Sequence, residues 1–190
     1  ATHDFNWIAR NIPTGMNAQL FDVTSANGVL SLMGPRARDI LQSVTRADLS
    51  NAAFPFGTAQ VIGIAGCPVL ALRVTYVGEL GWELYVSTEF ARHLFDVLMS
   101  AGASHGLRLA GIRAMESLRL EKGYRHFGHD IGDEDHVLEA GLGFAVKTGK
   151  PEGRFGPFLG RDAVLKKRES GLTRRLLQFR LRDPQPLLFH

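Results

Sequence analysis

The chain of 190 residues holds a single cysteine, Cys67, and that scarcity removes two classes of protein at once. A lone thiol closes no intrachain disulfide and builds no cysteine-based metal centre, so neither a disulfide-stapled secreted scaffold nor a zinc ribbon fits. Placed in an apolar turn before Pro68, the thiol is expected to be buried and inert. Long apolar runs are also missing: no stretch approaches the roughly eighteen residues that a membrane helix needs. The opening Ala1-Thr2-His3-Asp4 has neither the charged nor the apolar part of a secretory leader. The resulting expectation is a soluble, cytoplasmic protein with no membrane partner. Charge of one sign is scarce too, with 22 Lys and Arg against 19 Asp and Glu for a net +3. The late basic run Lys166-Lys167-Arg168 reads as a solvated helix face, so no nucleic-acid partner is expected. There is no initiator methionine, internal repeat or low-complexity tract. Gly149, Gly153, Gly156 and Gly160 form neither a dinucleotide fingerprint nor a phosphate cradle, and no Gly-x-Ser-x-Gly elbow presents a nucleophile.

What is present reads as alternating helical and strand periods. Phe5-Asn6-Trp7-Ile8 predicts a short helical turn, broken by Pro13-Thr14-Gly15. Leu20–Thr24 and Val29–Met33 flank the turn residues Ser25, Asn27 and Gly28, which predicts a hairpin. Pro35 suits a first helical position, with Ala37, Ile40, Leu41 and Val44 following at helical spacing. From Thr58 the period is that of strands: Val61–Ala65, Val69–Tyr76 and Leu84–Val86 predict an antiparallel meander. Thr88 can cap a helix whose stripe is Phe90, Leu94, Phe95, Val97 and Leu98, and a further helix is predicted over Leu109–Glu121, ended by Gly123. Within the glycine- and charge-rich stretch that follows, Gly141–Val146 reads as buried. Gly160–Ser170 predicts a basic helix and Arg175–Leu181 a strand. The fold class is therefore α+β, an antiparallel sheet with packed helices.

The strongest local signal is Arg73-Val74-Thr75-Tyr76-Val77-Gly78-Glu79-Leu80-Gly81-Trp82-Glu83-Leu84. Two glycines frame Glu79 at the end of an apolar strand, a turn able to lift a carboxylate into a cleft. A carboxylate there suits a flat heterocycle with adjacent N–H donors, because it accepts two parallel hydrogen bonds. The alternative is a solvated hairpin with Glu79 exposed. The set His126-x-x-His129-Asp130 offers metal ligands, but two histidines three apart share a face only on a helix, and Gly128 and Gly132 interrupt this stretch. No metal site is expected.

The same segment resembles the R-x-x-Y-x-G-E-x-G-W/Y-E-L/I signature of the folate-binding fold shared by the glycine-cleavage T-protein and the carboxyl-terminal halves of dimethylglycine and sarcosine dehydrogenases. Leu32–Ala37, Glu139–Gly143 and Phe158–Ala163 resemble the family's other landmarks, in the same order and over almost the whole chain. Ala114–Asp130 is more similar to the dehydrogenases. The T-protein has Ala-Arg-Asp where this chain has Ala114-Met115-Glu116. Its arginine lies by the folate tail, and Met115 cannot pair with a carboxylate. Arg113, Lys122 and Arg125 are the cations available to compensate.

The resemblance implies a ferredoxin-like folate-binding architecture. It makes Glu79 the glutamate that holds the pterin's amino-pyrimidine edge and Tyr124 an aromatic near the folate. Tyr76 and Trp82 belong to the motif either as ligand contacts or as strand and core packing. No catalytic residue is assigned, because the family's aspartate beside the folate amine lies upstream of the stretch matching Phe5–Ile8, and Asp4 and Asp22 occupy other places in the motif order. The implied plan is an N-terminally truncated folate-binding domain over residues 1–173 and the start of a truncated β-barrel domain over residues 174–190. The implied function is the tetrahydrofolate-binding region of a dimethylglycine/sarcosine dehydrogenase-like enzyme, which passes a one-carbon unit from an N-methylated glycine to folate. Its FAD would sit in an upstream flavin domain of the same parent chain. The rivals are a glycine-cleavage aminomethyltransferase served by a lipoyl carrier, and a non-catalytic folate-binding module.

Overall fold

The computed structural model describes residues 2–151, 153, 156–183 and 185, which fall in two compact units, Ala1–Tyr124 and Arg125–His190. The first unit carries helices α1 (Thr2–Arg10), α2 (Ala37–Ser43), α3 (Thr88–Gly102) and α4 (Ile112–Glu121). Its strands are β1 (Asn27–Met33), β2 (Ala59–Ile64), β3 (Cys67–Leu72) and β4 (Gly81–Ser87). The four strands form one antiparallel sheet in the order β1-β4-β3-β2. This is the α+β architecture that the periods predicted.

Period-2 alternation decides which face of the sheet is dry. Cys67, Val69 and Ala71 of β3 and Trp82, Leu84 and Val86 of β4 are buried, and Ile62 and Ile64 of β2 and Leu32 of β1 join them. Helix α2 closes this core with Ala37, Ile40 and Leu41, and α3 with Leu94 and Leu98, each set at spacings of three or four. Phe54 meets Trp82 edge-on with ring centroids 6.2 Å apart. The Arg38 and Arg73 guanidiniums lie 5.9 and 5.7 Å from the centroid of the same indole. Arg73 is 8% exposed and gives hydrogen bonds to the Phe54 carbonyl and to Asn51 Oδ1. Burial, with Arg38 nearby, pulls its pKa down.

Two local expectations fail in this unit. Leu20–Thr24 is not a strand: Phe21 and Val23 are exposed, and Thr24–Ala26 is a single 3-10 turn. The partner of β1 is instead β4, more than fifty residues later, with Leu30 opposite Leu84 and Ser31 opposite Glu83. The strand predicted to reach Tyr76 stops at Leu72: Arg73 N–H still donates across to the Thr58 carbonyl at 2.9 Å, and the chain then turns, with Val74 N–H bonding back to the Leu72 carbonyl at 3.0 Å. Helix α2 begins two residues after Pro35, and Ser87 rather than Thr88 occupies the cap of α3. The Thr88 hydroxyl donates to the Ser25 carbonyl at 3.0 Å.

The second unit is built on α5 (Arg161–Ser170), as its periodicity predicted. Gly141–Val146 is not its buried segment, for Phe144 is 83% exposed. The interior belongs to the preceding residues Glu139 and Ala140, which polar contacts hold. Arg125 Nε donates to the Ala140 carbonyl at 3.0 Å, and Lys167 Nζ and Arg174 Nε each reach the Glu139 carboxylate at 2.8 Å. Those two cations hold the Glu139 pKa down at about 2. His126 and His129 stack 5.7 Å apart, and Asp130 accepts the His126 amide. Arg175–Leu181 forms no strand. Leu176 gives one backbone bond to the Glu139 carbonyl, while Leu177 and Phe179 are exposed. Pro184 and residues 186–190, the apolar end of the expected second domain, lie outside the described residues.

Candidate functional site

The glycine-framed segment is folded by its own side chains. The Thr75 hydroxyl accepts the amides of Val77 and Gly78 at 3.2 and 3.0 Å, which turns the chain back after β3. Gly78 has φ +79°, and a Cβ there would overlap the Lys122 side chain, so the position demands glycine twice over. The turn returns to the sheet where Gly34 N–H donates to the Leu80 carbonyl at 2.8 Å, and Gly81 has no room for a methyl group against Met33. Two aromatics are fixed from opposite ends of this part of the unit. Tyr76 leaves the turn, and Tyr124 follows Gly123 at the end of α4, where its amide bonds to the Arg119 carbonyl at 3.0 Å. Arg119, 2% exposed, ties that helix end together through Glu116 and the Tyr124 carbonyl. The two tyrosine rings stack at 6.1 Å with an interplanar angle of 10°.

Beside Tyr76 lies a cavity of about 390 Å³, within the size range of small-molecule sites. Its walls are Leu30–Met33 of β1, Tyr76 and Val77 of the turn, Phe95, Leu98 and Met99 of α3, residues 107–110, and Met115 and Leu118 of α4. Three of the chain's four methionines, Met33, Met99 and Met115, are among them. Thioethers are polarisable and conform to the face or edge of an aromatic ring, so this wall suits a flat guest. The charged groups in the lining are Glu83 and Arg108.

Of the residues singled out in the sequence, Tyr76 lines the cavity, and Tyr124 stacks on Tyr76 without being part of the wall. Trp82 is fully buried in the core against Phe54 and is absent from the cavity wall. Glu79 is exposed on the turn and also absent from the wall. The carboxylate that does line it is Glu83, four residues on. Trp82, Leu84 and Val86 point into the core, so the pleat sends Glu83 to the opposite face. Its carboxylate accepts the Tyr85 hydroxyl at 2.9 Å. That bond, with burial and the nearby charge, pushes the Tyr85 pKa above the ordinary phenol value, so the hydroxyl stays a donor and steadies the acid. The alternation in Trp82-Glu83-Leu84-Tyr85-Val86 is the signal that could have identified Glu83. For Arg108 no local signal exists. Of the cations considered for an anionic tail, Arg113 does not line the cavity and Lys122 lies against Gly78.

Chemically, the arrangement offers a half-buried carboxylate, an acceptor of N–H donors, next to an aromatic and thioether wall. Known proteins are similar to this chain in sequence and in fold. The model of the GCVT N-terminal domain matches residues 1–150. Sarcosine dehydrogenase, mitochondrial, of Mus musculus is 48% identical over 169 residues, covering 89% of this chain and 18% of that protein. Dimethylglycine dehydrogenase, mitochondrial, of Homo sapiens is 39% identical over 176 residues, covering 92% of this chain and 20% of that protein. The chain thus spans about a fifth of the length of these dehydrogenases. Among solved structures, the glycine cleavage system aminomethyltransferase T of Bartonella henselae superposes with a TM-score of 0.72 at 27% identity, covering 90% of this chain and 44% of that one. The sequence match, the four-stranded antiparallel sheet and the superposition agree: the chain belongs to the GCVT N-terminal domain family.

Proposed function

We propose that this chain is the tetrahydrofolate-binding region of a dimethylglycine/sarcosine dehydrogenase-like enzyme, which passes a one-carbon unit from an N-methylated glycine to folate. The observation that carries the reading is Glu83 in the wall of an otherwise largely apolar cavity beside Tyr76. An amino-pyrimidine edge presents two adjacent N–H groups, and a carboxylate takes both in parallel. Glu83 therefore has the role that the motif alone suggested for Glu79. Tyr85 orients the acid, Met33 and Met115 supply soft contacts for the ring, and Tyr124 backs Tyr76. When bound, tetrahydrofolate supplies the amines that capture the one-carbon unit, and the residues named here position it and keep water from its ring. The high identity to the two dehydrogenases supports an N-methylated glycine as the carbon source. The chain has no Gly-x-Gly-x-x-Gly fingerprint, so the FAD of such an enzyme is assigned to another part of the parent protein.

The test is tetrahydrofolate affinity of the intact protein with Glu83→Gln and Glu79→Gln compared side by side. Glu83→Gln leaves one N–H of the ligand facing an amide donor, an expected loss of about 1–3 kcal/mol, whereas Glu79→Gln is expected to leave affinity unchanged. Equal affinities for wild type and Glu83→Gln would refute the assignment.

A further inference from the structure

The cavity wall carries two groups of opposite charge that do not pair with each other, Glu83, which is half-buried, and Arg108, which is exposed to solvent. The Glu83 carboxylate has Tyr85 as its hydrogen-bonding partner, and Arg108, the cation in the lining, makes no hydrogen bond or ion pair with any described residue. A guanidinium beside a carboxylate with nothing between them ordinarily closes into a bidentate pair. Here apolar side chains from β1, α3 and α4 line the same space, and the two charges stay apart.

Arg108 is held there by a built turn. Gly106 takes φ +73° and reverses the chain after α3. The Leu107 amide donates to the Gly102 carbonyl at 3.0 Å, and Leu107 packs so closely on Gly102 that no methyl group fits between them. One residue later Arg108 enters the cavity wall, before α4 begins at Ile112. The backbone at Arg108 is thus anchored on its N-terminal side, while its side chain has five N–H donors unspent on the protein.

We propose that Arg108 is a specificity-determining residue that binds the anionic end of an elongated ligand whose N–H-donating heterocycle is held at Glu83. This deepens the folate reading and rests on it: the anionic end is then the glutamate tail of tetrahydrofolate. It places tail recognition on the segment before α4, while Met115 of that helix gives the cavity wall an uncharged thioether.

The experiment compares two probes, tetrahydrofolate and tetrahydropterin, which has the same ring and no tail, by equilibrium binding to the intact protein. Arg108→Gln is expected to weaken tetrahydrofolate about tenfold, the worth of one charge-assisted contact, and to leave tetrahydropterin unchanged. Arg108→Lys, which keeps the charge and loses the fork, should fall between them. In wild type, raising salt should weaken tetrahydrofolate more than tetrahydropterin, a readout that needs no variant. Retained tetrahydropterin affinity certifies that the variant is folded. If Arg108→Gln binds tetrahydrofolate as wild type does, or loses both probes equally, the role of Arg108 is overturned while the folate reading stands. If wild type binds neither probe, the folate reading fails and the inference fails with it.

Discussion

Gly78 sits where the candidate site turns from β3 to β4, and replacing it with alanine tests whether that turn is held as described. Two costs follow from the geometry. At φ +79° a Cβ meets the following carbonyl, which costs about 1–2 kcal/mol. The added methyl also overlaps the Lys122 side chain, which must leave its rotamer at an expense of about 0.5–1.5 kcal/mol. Gly66 supplies the control, since it has φ +87° but nothing within 4 Å of its would-be Cβ. Gly66→Ala therefore reports backbone strain alone. Chemical denaturation followed by tryptophan fluorescence should give Gly78→Ala a larger loss than Gly66→Ala. Adding Lys122→Ala should recover the difference, because a truncated side chain no longer occupies the space. The reasoning is refuted if Gly78→Ala is as stable as wild type, or if Lys122→Ala recovers nothing in the double variant.

Other outcomes follow from the same structure. The β2–β3 hairpin turns on Ala65 and Gly66 with φ of +47° and +87°, the signature of a type I′ turn, and Ala65 is the one non-glycine residue with positive φ among the described residues. Ala65→Asn should stabilise the protein by about 0.5–1 kcal/mol in a denaturant titration, since asparagine tolerates that conformation better than alanine. In the second unit, Lys167 and Arg174 lower the Glu139 pKa from 4.5 to about 2. A depressed carboxylate stabilises the folded state fully above its unfolded pKa and loses that contribution as pH falls through the folded value. Stability should therefore decline between pH 4.5 and about 2, and Glu139→Gln should flatten that part of the curve. An unaltered acid limb in the variant would mean that another group sets it.

The sequence was most informative where local periodicity and tertiary burial coincide. Leu94 and Leu98 on α3 and the alternation of β3 and β4 are examples, because the side chains that face the core repeat at the period of their own element. It failed where the partner is remote. Nothing in Leu20–Thr24 announces that β1 will pair with residues 81–87 instead, since alternation specifies which face is buried and not which strand lies alongside. Gly141–Val146 is apolar enough to suggest an interior, yet the ion pairs at Glu139 fix the chain one turn earlier and leave Phe144 outside. At the candidate site the motif was legible as a turn, but the two framing glycines drew attention to Glu79. The pleat of β4, two residues beyond the second glycine, is what delivers Glu83 to the cavity. Arg108 became visible only when the segment before α4 was placed against β1 and α3.

The most direct measurement is a crystal structure of the intact protein with tetrahydrofolate bound. The account predicts the pterin in the cavity between β1, α3 and α4, with its amino-pyrimidine N–H groups about 2.7–2.9 Å from the Glu83 carboxylate. Density for the ring elsewhere, with Glu83 still paired only to Tyr85 and the cavity filled by solvent, would contradict it.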